Sequence, residues 1–144
     1  HVTAPSPEGH GAAACMALAL QKADMTSHDI NYINAHATGT LDGDAAEAAA
    51  IAQVFAGLSP AVGSTKGATG HMMGAGGITE AIACIQAIRE GIIPPTVNYE
   101  TPDPDCDLDC VPNTARKADV RIAMNNALGF GGQNASLIVG RFEE

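Results

Sequence analysis

Ala-rich stretches alternate with short apolar runs along this chain, and that alternation constrains its fold more than any other feature. Gly11–Asp24 holds GAAACMALALQKA and reads as a buried helix. INYINAH, residues 30–36, is short, carries Ile and Tyr, and reads as a strand. Asp44–Phe55 (DAAEAAAIAQVF) reads as a second helix, with Asp44 its N-cap or a first-turn acid. Ala61–Thr65 is a short strand. Gly70–Glu90 reads as one long helix with Ile78, Ile82 and Ile85 on one face and Gly91 as C-cap. Pro94 and Pro95 then break the pattern. Thr96–Glu100 follows as an edge strand, and Thr101–Pro112, with acids at 103, 105, 107 and 109, as a solvated loop. Val120–Leu128 and Asn134–Phe142 are two late strands joined by GFGGQ. Helix–strand alternation closed by a strand pair predicts an α/β layered architecture. No internal repeat or linker divides residues 1–144.

Composition excludes several functional classes. Hydrophobic residues make up 46%, enough for a core, yet no 18-residue stretch is apolar and free of charge, so no membrane span is expected. Seven basic residues against 16 acidic ones give a net charge of −9, which repels phosphate backbones. With aromatics at 3% and no Trp, base-stacking platforms are not expected either. Of the four cysteines, Cys15 and Cys84 fall inside expected helices. A disulfide framework is therefore not expected, and a reducing cytoplasm is. The first residue is His, and HVTAPSPEGHG opens as if in mid-loop. A fragment, a processed terminus or a missing beginning would all look like this.

Three segments place reactive groups where a strand meets a loop. NAHATGT puts His36 at a strand end with Thr38 and Thr40 beyond, at the carboxyl edge where open α/β sheets gather ligands. A histidine there can serve as an acid, a base or a hydrogen-bond donor. STKGATGHMMGAGG sets Lys66 and His71 around a Gly-rich turn entering a helix, where backbone N–H groups favour anions or a developing oxyanion. NNALGFGGQN flanks Phe130 with Gly129, Gly131 and Gly132. Taken singly, each has a structural explanation: a satisfied histidine, a surface lysine, a hairpin turn around a core Phe. Gly74, Gly76 and Gly77 near one helix start imply close packing against another element or a ligand. HExxH, GxSxG, GxxxxGK[ST] and a zinc-like cysteine set are absent, and Asp107 and Asp109 disfavour a thiolate at Cys106 or Cys110.

In this order, the three segments resemble the C-terminal half of a bacterial β-ketoacyl-acyl carrier protein synthase of the KAS I/II group. The similarity extends through HVTAP, INYINAHATGT, EGIIPPTVNYETPDPDCDLDCVPN and GFGGQNASLIV. The resemblance implies the C-terminal half of a thiolase-like fold, with layered helices around a mixed five-stranded sheet. It implies decarboxylative condensation of an acyl thioester with malonyl-acyl carrier protein in fatty acid biosynthesis. A non-catalytic chain-length-type partner subunit and a polyketide ketosynthase domain are the alternatives.

Under that resemblance His36 and His71 are the two catalytic histidines. Lys66 supports them electrostatically, and Phe130 is the gating aromatic whose N–H joins the oxyanion hole. Glu80, Asp44 and Glu47 are supporting acids, and Thr38 and Thr40 bind the pantetheine arm. In some relatives Asn34, Glu80, Asn125 and Asn126 would lie near a structural monovalent cation, although Asn125 is commonly Ser there. No catalytic metal and no resident cofactor is implied, since phosphopantetheine arrives on the carrier protein. The nucleophilic Cys belongs upstream of residue 1, and none of the four cysteines here matches its context. This chain alone is therefore expected to be inactive. The implied partners are acyl carrier protein, the N-terminal half of the same subunit and a second copy in a homodimer, with no nucleic acid and no membrane.

Overall fold

The computed structural model describes residues 1–143. In chain order the elements are α1 (His10–Lys22), β1 (Tyr32–Asn34), α2 (Leu41–Val54), β2 (Ala61–Gly63), the one-turn α3 (Lys66–Thr69), α4 (Gly76–Glu90), β3 (Ile92–Ile93), β4 (Arg116–Lys117), β5 (Ile122–Leu128) and β6 (Asn134–Gly140). Four strands form the main sheet in the order β2-β1-β5-β6. The β1 pairings with β2 and β5 are parallel, and β5 with β6 is antiparallel. β3 and β4 make a separate antiparallel ribbon.

The expected five-stranded sheet is thus four-stranded. Thr96–Glu100, the expected edge strand, contributes only an isolated bridge from Thr96 to Pro112. Pro94 and Pro95 precede it, and Asn98 sits at φ +62°, which no ladder tolerates. The acidic loop is also less solvated than its charge suggests. Val111 is fully buried, Leu108 packs against the core, and Val62 N–H donates to Asp109 C=O. Asp109 is paired with Arg116, which holds its carboxyl below the usual carboxylate range.

Strand periodicity separates two cores. Ile33, Val62, Met124 and Ile138 face α1 and α2, where Met16, Leu20, Ile51 and Phe55 complete one cluster. Tyr32, Ala61, Ala123 and Val139 face the other way, against Cys84, Ala87 and Ile88 of α4. Small residues allow tight layering. At Gly9, an added Cβ would lie 2.1 Å from Ala46 C=O on α2. Gly91 caps α4 at φ +64° with its N–H on Ala87 C=O, as expected.

The expected helix 70–90 is broken. Gly70 at φ +74° ends α3, Met73 at φ +51° lies in a 3-10 turn, and α4 begins only at Gly76. Gly74 has open space around its Cβ position, so close packing does not explain it. The Ile78, Ile82 and Ile85 stripe shares one face, but that face is uncovered at 63%, 51% and 43% exposure, while Glu80, Ala81, Cys84 and Ala87 point inward. No described helix is long and apolar enough to cross a membrane.

Candidate active site

Because β2, β1 and β5 run parallel, the loops after all three leave from one edge of the sheet. His36 follows β1, Lys66 and His71 follow β2, and Phe130 follows β5. The imidazoles of His36 and His71, 35 positions apart in sequence, stand edge to face with ring centroids 5.3 Å apart. Met73 N–H donates to His71 Nδ1 at 3.3 Å, which assigns the remaining ring proton of a neutral His71 to Nε2. His36 Nδ1 is buried with no partner. Burial, then the Lys66 charge, then His71 push the His36 pKa down to about 4, so this ring is neutral at pH 7.

The turn carrying His36 is held from behind by a buried carboxylate. Glu47 on α2 accepts from His36 N–H at 2.9 Å and from Ala37 N–H at 2.8 Å. Ala37 sits at φ +23°, a backbone conformation that needs such restraint. Burial raises the Glu47 carboxyl pKa, against the opposing pull of those N–H donors. Ser64 ties this turn to the next one: its Oγ donates to Ala37 C=O at 3.2 Å and accepts from Lys66 N–H at 3.3 Å.

Lys66 is no surface lysine. Its side chain is 6% exposed, and its ammonium is bound to Glu80, itself 3% exposed on α4. Asp44 lies in the first turn of α2, whose N-cap is Thr40, and accepts from Gly39 N–H at 3.2 Å. Its carboxyl is raised by burial. The Thr38 and Thr40 hydroxyls are 3.3 Å apart, with Thr40 exposed. Phe130 is not the core residue that a plain hairpin turn would make it. It is 75% exposed, with Gly131 and Gly132 beyond it at φ +76° and +78°. Gly131 N–H donates to Val2 C=O, tying this turn to the N-terminal segment.

Among the described residues no group of three His, Cys, Asp or Glu side chains could hold a metal ion. A cation site of amide and carboxylate oxygens is a separate question. Asn34 Oδ1, Glu80 Oε2 and Asn125 Oδ1 are buried acceptors without donors. Asn34 and Asn125 are direct partners across β1 and β5, and Asn125 Nδ2 donates to Gly77 C=O, one turn before Glu80. All three are oxygen acceptors, the donor type that hard cations take. Asn126 does not belong to this set. As the next strand residue it faces α1 and α2, where its Nδ2 meets Glu47 Oε1 at 3.1 Å and Met16 Sδ at 3.3 Å. Ser64 and Ser136 also escaped the sequence reading, since small hydroxyl residues at a strand end or on a late strand carry no local signal.

Comparison with known proteins gives the chain a family. Residues 1–100 match the model of the family described as β-ketoacyl synthase, C-terminal domain. The chain is 47% identical over 139 residues to nodulation protein E of Rhizobium meliloti, covering 95% of this chain and 34% of that protein. It is 46% identical over 145 residues to 3-oxoacyl-[acyl-carrier-protein] synthase 2 of Staphylococcus aureus (strain COL), covering 99% and 35%. Among solved structures, the ishigamide ketosynthase/chain length factor superimposes with a TM-score of 0.96 at 46% identity, over 99% of this chain and 35% of that one. The chain thus spans about a third of the length of these relatives. With the family match and the relatives together covering nearly every residue, this chain belongs to the β-ketoacyl synthase C-terminal domain family.

Proposed function

We propose that residues 1–144 form the decarboxylating half of a 3-oxoacyl-acyl carrier protein synthase, acting on a malonyl thioester. The observation that carries the reading is the pair of imidazoles 5.3 Å apart, one of them held neutral beside a buried lysine. In the reaction the bond from the malonyl carboxylate to its α-carbon breaks and carbon dioxide leaves. The electron pair delocalises onto the thioester oxygen as an enolate. Fixed N–H donors aimed at that oxygen stabilise it by roughly 3–4 kcal/mol each. His36, as a neutral ring, and His71 supply donors, and Lys66 sets a positive field while Glu80 fixes its position. The enolate carbon then attacks an acyl thioester, whose thiolate departs. In this reading Thr38 and Thr40 hydrogen-bond the pantetheine arm, and the Phe130 turn gates its entry.

The acyl-accepting thiolate is assigned to residues outside this chain. Burial pushes the Cys84 thiol up to about 12 and, with nearby aspartates, Cys106 up to about 11, and it raises Cys110 as well. None of these three is poised as a nucleophile. The rest of the subunit is the proposed cover for the Ile78–Ile82–Ile85 stripe, with acyl carrier protein and a second copy as further partners. A monovalent cation, held by Asn34, Glu80 and Asn125, would balance the free Glu80 oxygen.

Similarity to a ketosynthase/chain length factor pair also brings in a non-catalytic partner subunit. The retained His36, Lys66 and His71 weigh against it, because a subunit that only shapes a tunnel has no use for them. The deciding experiment is malonyl decarboxylation by the complete subunit. His36→Ala and His71→Ala are each expected to lose roughly 10²–10³-fold in kcat, the rate equivalent of one such donor, with unchanged circular dichroism. Undiminished decarboxylation in both variants would remove the site.

A further inference from the structure

We infer that Asn126 and Ser136 are positioning residues for His36, acting through Glu47. The inference rests on the reading of His36 given above and concerns how that ring is held. Ser136 Oγ on β6 donates to Asn126 Oδ1 on β5 at 2.8 Å. Asn126 Nδ2 donates to Glu47 Oε1, and the two Glu47 oxygens receive the N–H groups of His36 and Ala37. A single chain of hydrogen bonds therefore runs from the edge strand of the sheet to the histidine turn.

Chemistry fixes the direction of each link. Glu47 accepts three N–H donors, so Asn126 must turn its nitrogen toward the carboxylate. Reversing the amide would set oxygen against carboxylate oxygen in a fully buried site. That leaves Oδ1 pointing at β6, where it needs a donor, and Ser136 is paired with Asn126 in register and supplies it. Asn126 is wholly buried, and both of its N–H groups are used, on Glu47 and Met16. Every polar atom of this amide is thus committed, which makes the position of Glu47 sensitive to Ser136. The turn that depends on it holds Ala37 at a positive φ and has no glycine at that position to relax into.

Ser136→Ala tests this in the complete subunit. It removes one hydroxyl from a strand and leaves the packing of β5 on β6 in place. The expected result is an approximately tenfold lower kcat for malonyl decarboxylation, about the value of one neutral hydrogen bond, with KM unchanged. Backbone amide exchange at residues 36 and 37 should accelerate, while the β5–β6 ladder stays protected. Ser136→Thr, which restores the hydroxyl, should return both readouts to wild type. Wild-type kcat and exchange in Ser136→Ala, alongside an inactive His36→Ala, would overturn the inference and leave the site reading intact. Faster exchange throughout β5 and β6 without rescue by Thr would also overturn it, as a merely structural role. Local, Thr-rescued loosening together with an active His36→Ala would uphold the hydrogen-bonded chain and defeat the catalytic reading of His36.

Discussion

The buried Lys66–Glu80 pair makes a prediction in which stability and activity part company. Both side chains are almost completely removed from water, and Glu80 Oε2 has no donor besides. Deleting one partner strands the other charge in a low-dielectric site, which costs about 3–5 kcal/mol. Lys66→Met and Glu80→Met should each lose roughly that much. Spread over a complete subunit about three times the length of this chain, at about 2.1 cal/mol/K per residue, it is a fall in Tm of about 3–6 °C. Replacing both residues by Met removes both desolvation penalties with little change in volume, so the double variant should lie within about 1–2 kcal/mol of wild type. The assay is calorimetric unfolding of the complete subunit in a double-mutant cycle, run beside malonyl decarboxylation. The double variant is expected to be stable and inactive, because the positive field at the imidazoles is gone. A double variant as unstable as the sum of the two singles would show that the pair is not coupled. One that is stable and fully active would show that the lysine is structural only.

Four further outcomes follow from particular residues. His36, with its pKa pushed down to about 4, stays neutral over the range where free histidine titrates. Decarboxylation should therefore hold level from about pH 8 to 5 with respect to this ring, and an NMR titration of His36 should show no midpoint near 6.5. The unfolded chain binds a proton below about pH 6.5 that the folded chain refuses until about 4. This residue's stability contribution is complete above pH 6.5 and is lost as pH falls through that window, which acid unfolding of His36→Gln against wild type would expose. Gly9→Ala sets a Cβ against Ala46 C=O at φ +65°, and should destabilise by roughly 3 kcal/mol or more, read as a lower urea midpoint. This chain prepared alone should associate through the uncovered Ile78, Ile82 and Ile85 face, and a monodisperse monomer by light scattering would argue against that surface.

Local pattern carried a good deal of this protein. The Ala-rich helices, the strands β1, β2, β5 and β6 and the loop bearing His36 follow from composition and spacing over a few residues, whereas the break before α4 that carries His71 and the loss of a strand at 96–100 do not. The ranges that do follow are short enough for propensity and periodicity to act. The place of Gly91 as a C-cap was equally legible, because φ > 0 at a helix end is a demand one residue can answer. The division of Asn125 from Asn126 was implicit in strand alternation but became visible only once β5 was set between two helical layers.

Tertiary packing decided the rest. The Ile78, Ile82 and Ile85 stripe looks like a core face, yet α4 turns it outward, because Glu80 must reach Lys66 and Cys84 must pack on the sheet. Ser64, Asn126 and Ser136 acquire their roles from partners 27, 79 and 10 residues away, respectively. A hydrogen bond needs two groups at one point in space, and only the fold sets that point. The sequence by itself determined which chemical groups this chain owns and which short segments present them. The sheet order and the two helical layers determined which of those groups meet, because burial and hydrogen bonding depend on distance in space, not on separation along the chain.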